Sequence, residues 1–159
     1  MSDIRWLTQA EQRAWRSFLE ASRLLFEALD RDLQQDAGIP HAYYEILVRL
    51  SESSERAMRM NKLAEATRSS RSRLSHAIDR LVERGWVERL DCPTDRRGQL
   101  AKLTEDGFAA LAAAAPGHVA AVRRFLIDQL SAEDLRALDR IGSAIIDTLH
   151  SDGAAECPN

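Results

Sequence analysis

Residues 69–104, SSRSRLSHAIDRLVERGWVERLDCPTDRRGQLAKLT, constrain this chain more than any other stretch. Leu74, Ile78, Leu81 and Val82 recur at helical spacing, while Arg71, Ser72, Arg73, Ser75, His76 and Arg80 take the positions left open to a partner. A basic amphipathic helix is therefore expected, capped by Ser70 or Ser69. Gly85 suits the left-handed residue just past its C-terminus. Two strand-like runs follow, 86–90 and 99–103, and the segment 91–98 between them carries the Pro, Gly and Asp of turn chemistry. A helix followed at once by a hairpin describes a winged helix-turn-helix, with the helix sized for a major groove and the hairpin for a minor groove. Contact with duplex DNA is the first hypothesis that this order raises.

The flanks read as helices. Thr8 and Glu11 have the spacing of a capping box, and Trp15, Phe18, Leu19, Ser22, Leu25, Phe26, Leu29 and Leu33 continue one amphipathic helix to Gly38. Pro40 suits the first turn of a second helix whose apolar face is Tyr43, Ile46, Leu47 and Leu50. A polar connection at 51–55, a very short strand at 57–59, a short helix at 61–67 and a tight turn at Arg68 and Ser69 lead into the basic helix. Beyond the hairpin, Thr104 can cap a fifth helix, with Glu105 and Asp106 in the first turn where the helix dipole favours acids. Residues 109–115 are nearly all alanine, small enough for another helix to approach closely, and Pro116-Gly117 is expected to kink or break the helix. The chain then continues through Val122, Phe125, Leu126 and Leu130. Ser131 is placed to cap a last helix carrying Leu135, Leu138, Ile141, Ile145 and Leu149, with 151–159 a flexible tail.

Formal net charge is −3 over 159 residues, which does not suit a nucleic-acid partner until it is divided. Between Arg56 and Lys102 there are twelve basic and six acidic residues, a local +6, and the remainder carries −9. A positive surface is thus concentrated on the helix-hairpin segment, where phosphates can bind. The other reading of the same residues is a solvated charged face. No run of about 18 apolar residues is present, so no membrane-crossing helix is expected, and the N-terminus has no signal-peptide stretch. Cys92 and Cys157 have neither a disulfide framework nor metal-ligand spacing, so a cytoplasmic protein without metal or other cofactor is expected. His41, His76, His118 and His150 are dispersed, and no phosphate loop or Cys-His pair accompanies them, which argues against an enzyme.

Asp95-Arg96-Arg97-Gly98 followed by Gln99-Leu100-Ala101-Lys102-Leu103-Thr104-Glu105-Asp106-Gly107 resembles the wing of the MarR family of bacterial transcription regulators, where Asp-x-Arg precedes an apolar strand and Leu-Thr-x-x-Gly. Leu81–Arg89 resembles the end of that family's recognition helix and the start of its wing. Met60–Ala64 resembles the opening of its third helix, with Met60 in place of the usual small polar cap. The resemblance covers about residues 8–149. It implies a mainly α fold with a small β-wing: a winged helix-turn-helix at 39–103, and dimerisation helices at 1–38 and 104–150.

What the resemblance implies about function can be set beside the chemistry. Asp95 and Arg97 can pair across the loop and stiffen the hairpin tip, so that a guanidinium meets the narrow minor groove already ordered. By the match, Arg97 is the minor-groove candidate and Arg96 a phosphate contact or its substitute. On the basic helix, Arg71 or Arg73 can make bidentate bonds to a guanine, with His76 alongside, and Ser70 and Ser72 suit phosphates at the helix N-terminus. Apolar stripes on helices one, five and six exceed what the small winged core can cover, and in the family such helices interlock two copies into a homodimer on a pseudo-palindromic operator. Members often bind aromatic or phenolic effectors, for which Trp15, Phe18, His41 and Tyr44 are the pocket candidates here. Repression is the family's commoner mode. Peroxide-sensing members use a cysteine near the N-terminus; the first helix has none, and Cys92 reads as a surface thiol or a redox-responsive one. The rival to a DNA-binding regulator is a winged-helix protein-interaction module without DNA affinity.

Overall fold

A computed structural model describes residues 4–92 and 95–155, with side chains for 4–91 and 99–151. Six helices and three strands follow one another as α1 (Gln9–Ala37), α2 (His41–Ser51), β1 (Ala57–Arg59), α3 (Met60–Ala66), α4 (Arg71–Glu83), β2 (Val87–Cys92), β3 (Asp95–Leu103), α5 (Glu105–Phe125) and α6 (Ala132–Ala155). Short 3-10 turns lie at Ser54–Arg56 and Ile127–Gln129. The chain divides into two units, residues 1–119 and 120–159.

Local chemistry sets most of the helix ends. The Thr8 hydroxyl accepts from the Glu11 N–H at 3.3 Å while the Glu11 carboxylate accepts from the Thr8 N–H at 2.7 Å, a complete capping box that also holds the Glu11 carboxyl below its usual pKa. Gly38 ends α1 in the left-handed conformation. Pro40 sits at the N-cap of α2, and its apolar ring offers no hydrogen-bond acceptor. Asp30 of α1 serves instead, its Oδ1 accepting from the His41 N–H at 2.8 Å. In the second unit the Ser131 hydroxyl accepts from the Asp134 N–H at 3.1 Å, and the returned hydrogen bonds hold the Asp134 carboxyl below its usual pKa.

The core of the first unit gathers Leu33 of α1, Ile39, Ile46, Leu47 and Leu50 from α2 and its approach, Leu63 of α3, Leu74, Ile78 and Leu81 of α4, Val87, Ala101 and Leu103 of the sheet, and Leu111 and Ala114 of α5. The sheet is antiparallel in the order β1-β3-β2. Ala57 pairs with Lys102 on one side of β3, and Val87 pairs with Leu103 on the other. The short strand at 57–59 is therefore real, and it gives the wing a third, anchoring partner.

Four expectations need correction. Val82 is 40% exposed, because α4 buries a single row of Leu74, Ile78 and Leu81, and Val82 is turned one position out of it. The hairpin strands reach Cys92 and Asp95, longer than the runs 86–90 and 99–103, because backbone pairing continues where side-chain alternation has stopped. Pro116 does not break α5: the helix runs unbroken from Glu105 to Phe125, losing one N–H donor among strong helix-forming alanines. The last helix continues to Ala155, so 151–155 are helical rather than tail. By length and composition, residues 105–129 also form a helical segment that could span a bilayer. Alanine supplies that apolarity, and Leu111 and Ala114 are buried in the core.

Candidate nucleic-acid interface

The base of the wing is built around Thr104 and Gly107. The Thr104 N–H donates to the Trp86 carbonyl at 3.0 Å, its hydroxyl donates to the Gly85 carbonyl at 2.7 Å, and the same oxygen accepts from the Gly107 N–H at 2.9 Å. One threonine thus caps α5 and ties that cap to the turn between α4 and β2. The first turn of α5 comes so close that a methyl group on Gly107 would overlap the Trp86 carbonyl oxygen and lie 2.8 Å from Leu103 Cδ1. Leu-Thr-x-x-Gly is therefore a packing motif here. Gly85 adopts φ of +71°, which favours glycine where the chain leaves α4 for β2.

The Ser70 hydroxyl caps α4 by accepting from the Arg73 N–H at 3.3 Å. Arg71, Ser72, Arg73 and His76 are all exposed on the first two turns. Among the described residues, no carboxylate pairs with Arg71 or Arg73. The other arginines around this helix are already engaged. Arg80 pairs with Glu83 at 2.8 Å, and Arg84 donates to the Gly38 carbonyl at 3.2 Å and lies over the Trp86 ring at 4.9 Å. The structure thus separates two classes that the sequence left mixed: arginines bound within the fold, and a pair at the N-terminal end of α4 presented outward. Arg96 and Arg97 lie on the β3 backbone, and their side chains, like those of Asp95 and Cys92, are outside the described residues.

Arg89 was not among the candidates, yet it makes the most connected polar contact of the region. From β2 its Nη2 donates to Asp79 Oδ1 at 2.7 Å and to the Ser75 carbonyl and hydroxyl, each at 3.1 Å; its Nη1 donates to Gln99 Oε1 on β3 at 2.9 Å. Ser75, expected to be available to a partner, is half-buried under this guanidinium. Nothing in the spacing of the residues marks the contact, because it joins segments that meet only in the folded chain. Arg56 makes a comparable link below the sheet, pairing with Glu105 at 3.0 Å and lying 4.0 Å from the Phe108 ring centre.

The four expected effector residues fall into two groups. Trp15 and Phe18 stack on exposed α1 with ring centres 6.5 Å apart. His41 and Tyr44 belong to a different cluster, with Phe26 and His118: the centre of the His118 ring is 5.6 Å from His41 and 4.6 Å from Tyr44, and Phe26 meets His41 edge-on at 5.8 Å. Phe18 and Phe26 are eight residues apart on one helix, about 12 Å, and no ring contact among the described residues joins the two groups. Tyr44, at 8% exposure, is a core residue, and burial pushes its hydroxyl pKa up. His118 Nδ1 is buried and meets no hydrogen-bond partner among the described residues. A lone histidine in an alanine-rich helix gave no sequence signal for this role.

Burial, and secondarily the like charge of His41, hold His118 below the usual histidine pKa of about 6.5. A base whose folded pKa is depressed contributes stability that is complete above the unfolded pKa. That contribution is lost as pH falls below about 6.5, where the unfolded chain takes up a proton that the folded chain resists. The melting temperature should therefore decline between about pH 7 and pH 5, and His118→Gln should flatten that part of the profile. A His118→Gln profile parallel to that of the natural chain would rule out His118 as the source.

An outward-facing arginine pair at the head of one helix, with an antiparallel wing fastened to that helix's other end, defines a winged helix-turn-helix protein. The chain belongs to the MarR family. The family's sequence pattern matches residues 37–98. A MarR family transcriptional regulator from Streptomyces coelicolor, solved in complex with DNA, is 50% identical and superposes with a TM-score of 0.89 over 94% of this chain and 93% of that one. AbsC, a MarR family transcriptional regulator from the same organism, is 49% identical with a TM-score of 0.87, over 93% of this chain and 99% of that one. The multiple antibiotic resistance protein MarR of Salmonella typhimurium is 56% identical over 36 residues, 23% of this chain and only 25% of that protein's length.

Proposed function

We propose that this chain is a homodimeric, sequence-specific duplex-DNA-binding transcription regulator of the cytoplasm, acting as a repressor that a small aromatic or phenolic ligand relieves. The observation that carries the reading is the exposed Arg71 and Arg73 at the capped N-terminus of α4, unpaired among the described residues and set in a segment of net charge +6. Recognition helices enter the major groove with their N-terminal residues, and a guanidinium without an internal carboxylate can present its whole fork to a guanine. Ser72 and the N-terminal N–H groups of α4 suit phosphate, and Arg97 suits the minor groove beside it. Residues 39–103 carry the DNA contacts, and 1–38 and 104–150 join two copies. A dimer seated across a promoter excludes polymerase, which is why repression is the sign we assign.

For the effector, His41, Tyr44 and His118 supply what an aromatic acid needs: ring faces, and a buried imidazole nitrogen that meets no hydrogen-bond partner among the described residues. Trp15 and Phe18 are better matched to the partner copy than to the ligand.

The test is a fluorescence-anisotropy titration at two salt concentrations, on duplexes that the natural protein selects from a random library. Arg97→Ala should weaken binding to all sequences and reduce the salt slope by about one. Arg73→Ala should also relax sequence preference, losing about 1–3 kcal/mol of discrimination at one base pair. Unchanged affinity in both variants would overturn these assignments, and selection of no duplex at all would overturn the function.

A further inference from the structure

We infer that Arg89 is a positioning residue that fixes the angle between the wing and the recognition helix, so that one protomer meets the major and the minor groove together. The inference rests on the reading of the chain as a duplex-binding protein. It does not require Arg89 to touch DNA.

Three elements meet at one guanidinium. Ser75 and Asp79 are four residues apart and share a face of α4. Arg89 pairs across the ladder with Ala101, and Gln99 lies two residues from Ala101 toward the wing tip, on the same face of the sheet. The fork therefore grips the middle of α4 with one nitrogen and the far strand of the hairpin with the other, at 2.7–3.1 Å throughout. The Arg89 side chain is only 25% exposed, so most of it is shielded from solvent. A planar guanidinium suits this duty because two separate nitrogens donate in fixed, divergent directions, whereas the three donors of a lysine ammonium all sit on one nitrogen and cannot span both sides. Past Gln99 β3 extends roughly 13 Å over four more residues, back to Asp95, so a small tilt at the clamp becomes a displacement at the tip. Thr104 and Gly107 fasten the base of the wing, and Arg89 fastens its midpoint.

Asp79 provides the discriminating test, because two physical effects predict opposite signs for it. Removing a carboxylate beside the DNA should tighten binding if only charge matters, since phosphate attraction rises with net positive charge. If Arg89 positions the wing, Asp79→Ala should weaken binding about fivefold, because the clamp loses its shortest bond. The experiment compares the natural protein, Asp79→Ala, Arg89→Ala, Arg89→Lys and the Asp79→Ala/Arg89→Ala double variant. Each is titrated with a duplex selected by the natural protein from a random library, and with the same duplex trimmed to remove the flanking minor groove.

Asp79→Ala should bind the full duplex more weakly and the trimmed one as the natural protein does, and the double variant should be no weaker than Arg89→Ala alone. Arg89→Lys should fail to rescue, whereas a simple phosphate contact would be largely restored by lysine. Equal or tighter binding by Asp79→Ala would overturn the clamp, as would weakening of the same size on both duplexes in step with a lower melting temperature. Failure of the natural protein to select any duplex would instead overturn the DNA-binding reading itself, a result separate from any behaviour of the variants.

Discussion

Gly107→Ala should lower the stability of the folded protein by about 3 kcal/mol, the upper part of the range for forcing atoms into a packed site. For a chain of this length that is a fall in melting temperature of about 6–12 °C. The new methyl group would overlap the Trp86 carbonyl oxygen and stand 2.9 Å from its carbonyl carbon, and both atoms are backbone, so no rotamer change relieves the overlap. Nor can the strand retreat at little cost, because the Trp86 carbonyl also accepts the Thr104 N–H that starts α5. Either α5 lifts away, loosening Leu111 and Ala114 in the core, or the Thr104 cap opens. Gly117→Ala in the same helix is the control. Its added methyl group would meet Asp36 Oδ2 at 3.7 Å, an ordinary contact, and alanine is favoured over glycine within a helix by about 1 kcal/mol. Thermal melts followed by circular dichroism should therefore move in opposite directions for the two variants. A Gly107→Ala protein that melts with the natural chain would show that α5 is not seated against the wing as described.

These two glycines also mark how far sequence reasoning reaches. Thr8, Ser70, Ser131, Gly38 and Gly85 were legible as caps because a cap is local: the residue that accepts and the N–H that donates lie three residues apart. Thr104 was legible as a cap for the same reason. Its second bond, to the Gly85 carbonyl 19 residues away, was not, and neither was the need for glycine at 107, which arises from a neighbour across the fold. Val82 failed because periodicity gives the width of an apolar face only to within a residue. The break did not follow from Pro116 because a breaker signal is a cost, and a run of alanines with its N-terminal half packed into the core can absorb that cost. In the candidate interface, the exposure of Arg73 followed from its phase off the Leu74 and Ile78 row, whereas Arg71 lies in phase with that row and is exposed because it opens the helix, ahead of the first buried turn. Arg89 and His118 share no such phase with their partners. Arg89 reaches Asp79 through the turn at Gly85, and His118 meets His41 from a helix more than sixty residues downstream.

Ile141→Glu together with Ile145→Glu should convert the proposed homodimer into a monomer and lower affinity for a full operator by about 100-fold or more, since two linked half-sites become two separate weak ones. The expectation comes from an unbalanced surface. Along α6, no residue with a described side chain is buried, although Leu138, Ile141, Ile145, Ile146 and Leu149 form an apolar row. On α1, Trp15, Phe18, Leu19 and Phe26 are likewise exposed, as are Trp6 and Leu7 just before it. Side chains of this size each gain about 1.5–3 kcal/mol when taken out of water, and monomeric proteins rarely leave so many together uncovered. In the proposed homodimer, a second copy related by a two-fold axis would cover such faces on helices of 29 and 24 residues by presenting the same faces in return. Two carboxylates one helical turn apart would be forced to face each other or to stay in water, and staying in water means dissociation. Light scattering coupled to size exclusion should report twice the chain mass for the natural protein and a single chain mass for the double variant. Helical circular dichroism of the winged core should be retained, because Leu47, Leu50, Leu63, Leu74 and Ile78 do not depend on the second copy for their burial. A variant that remains dimeric would place the interface elsewhere. A variant that is monomeric yet binds full-length operator as tightly as the natural protein would show that the two recognition helices do not act as a pair.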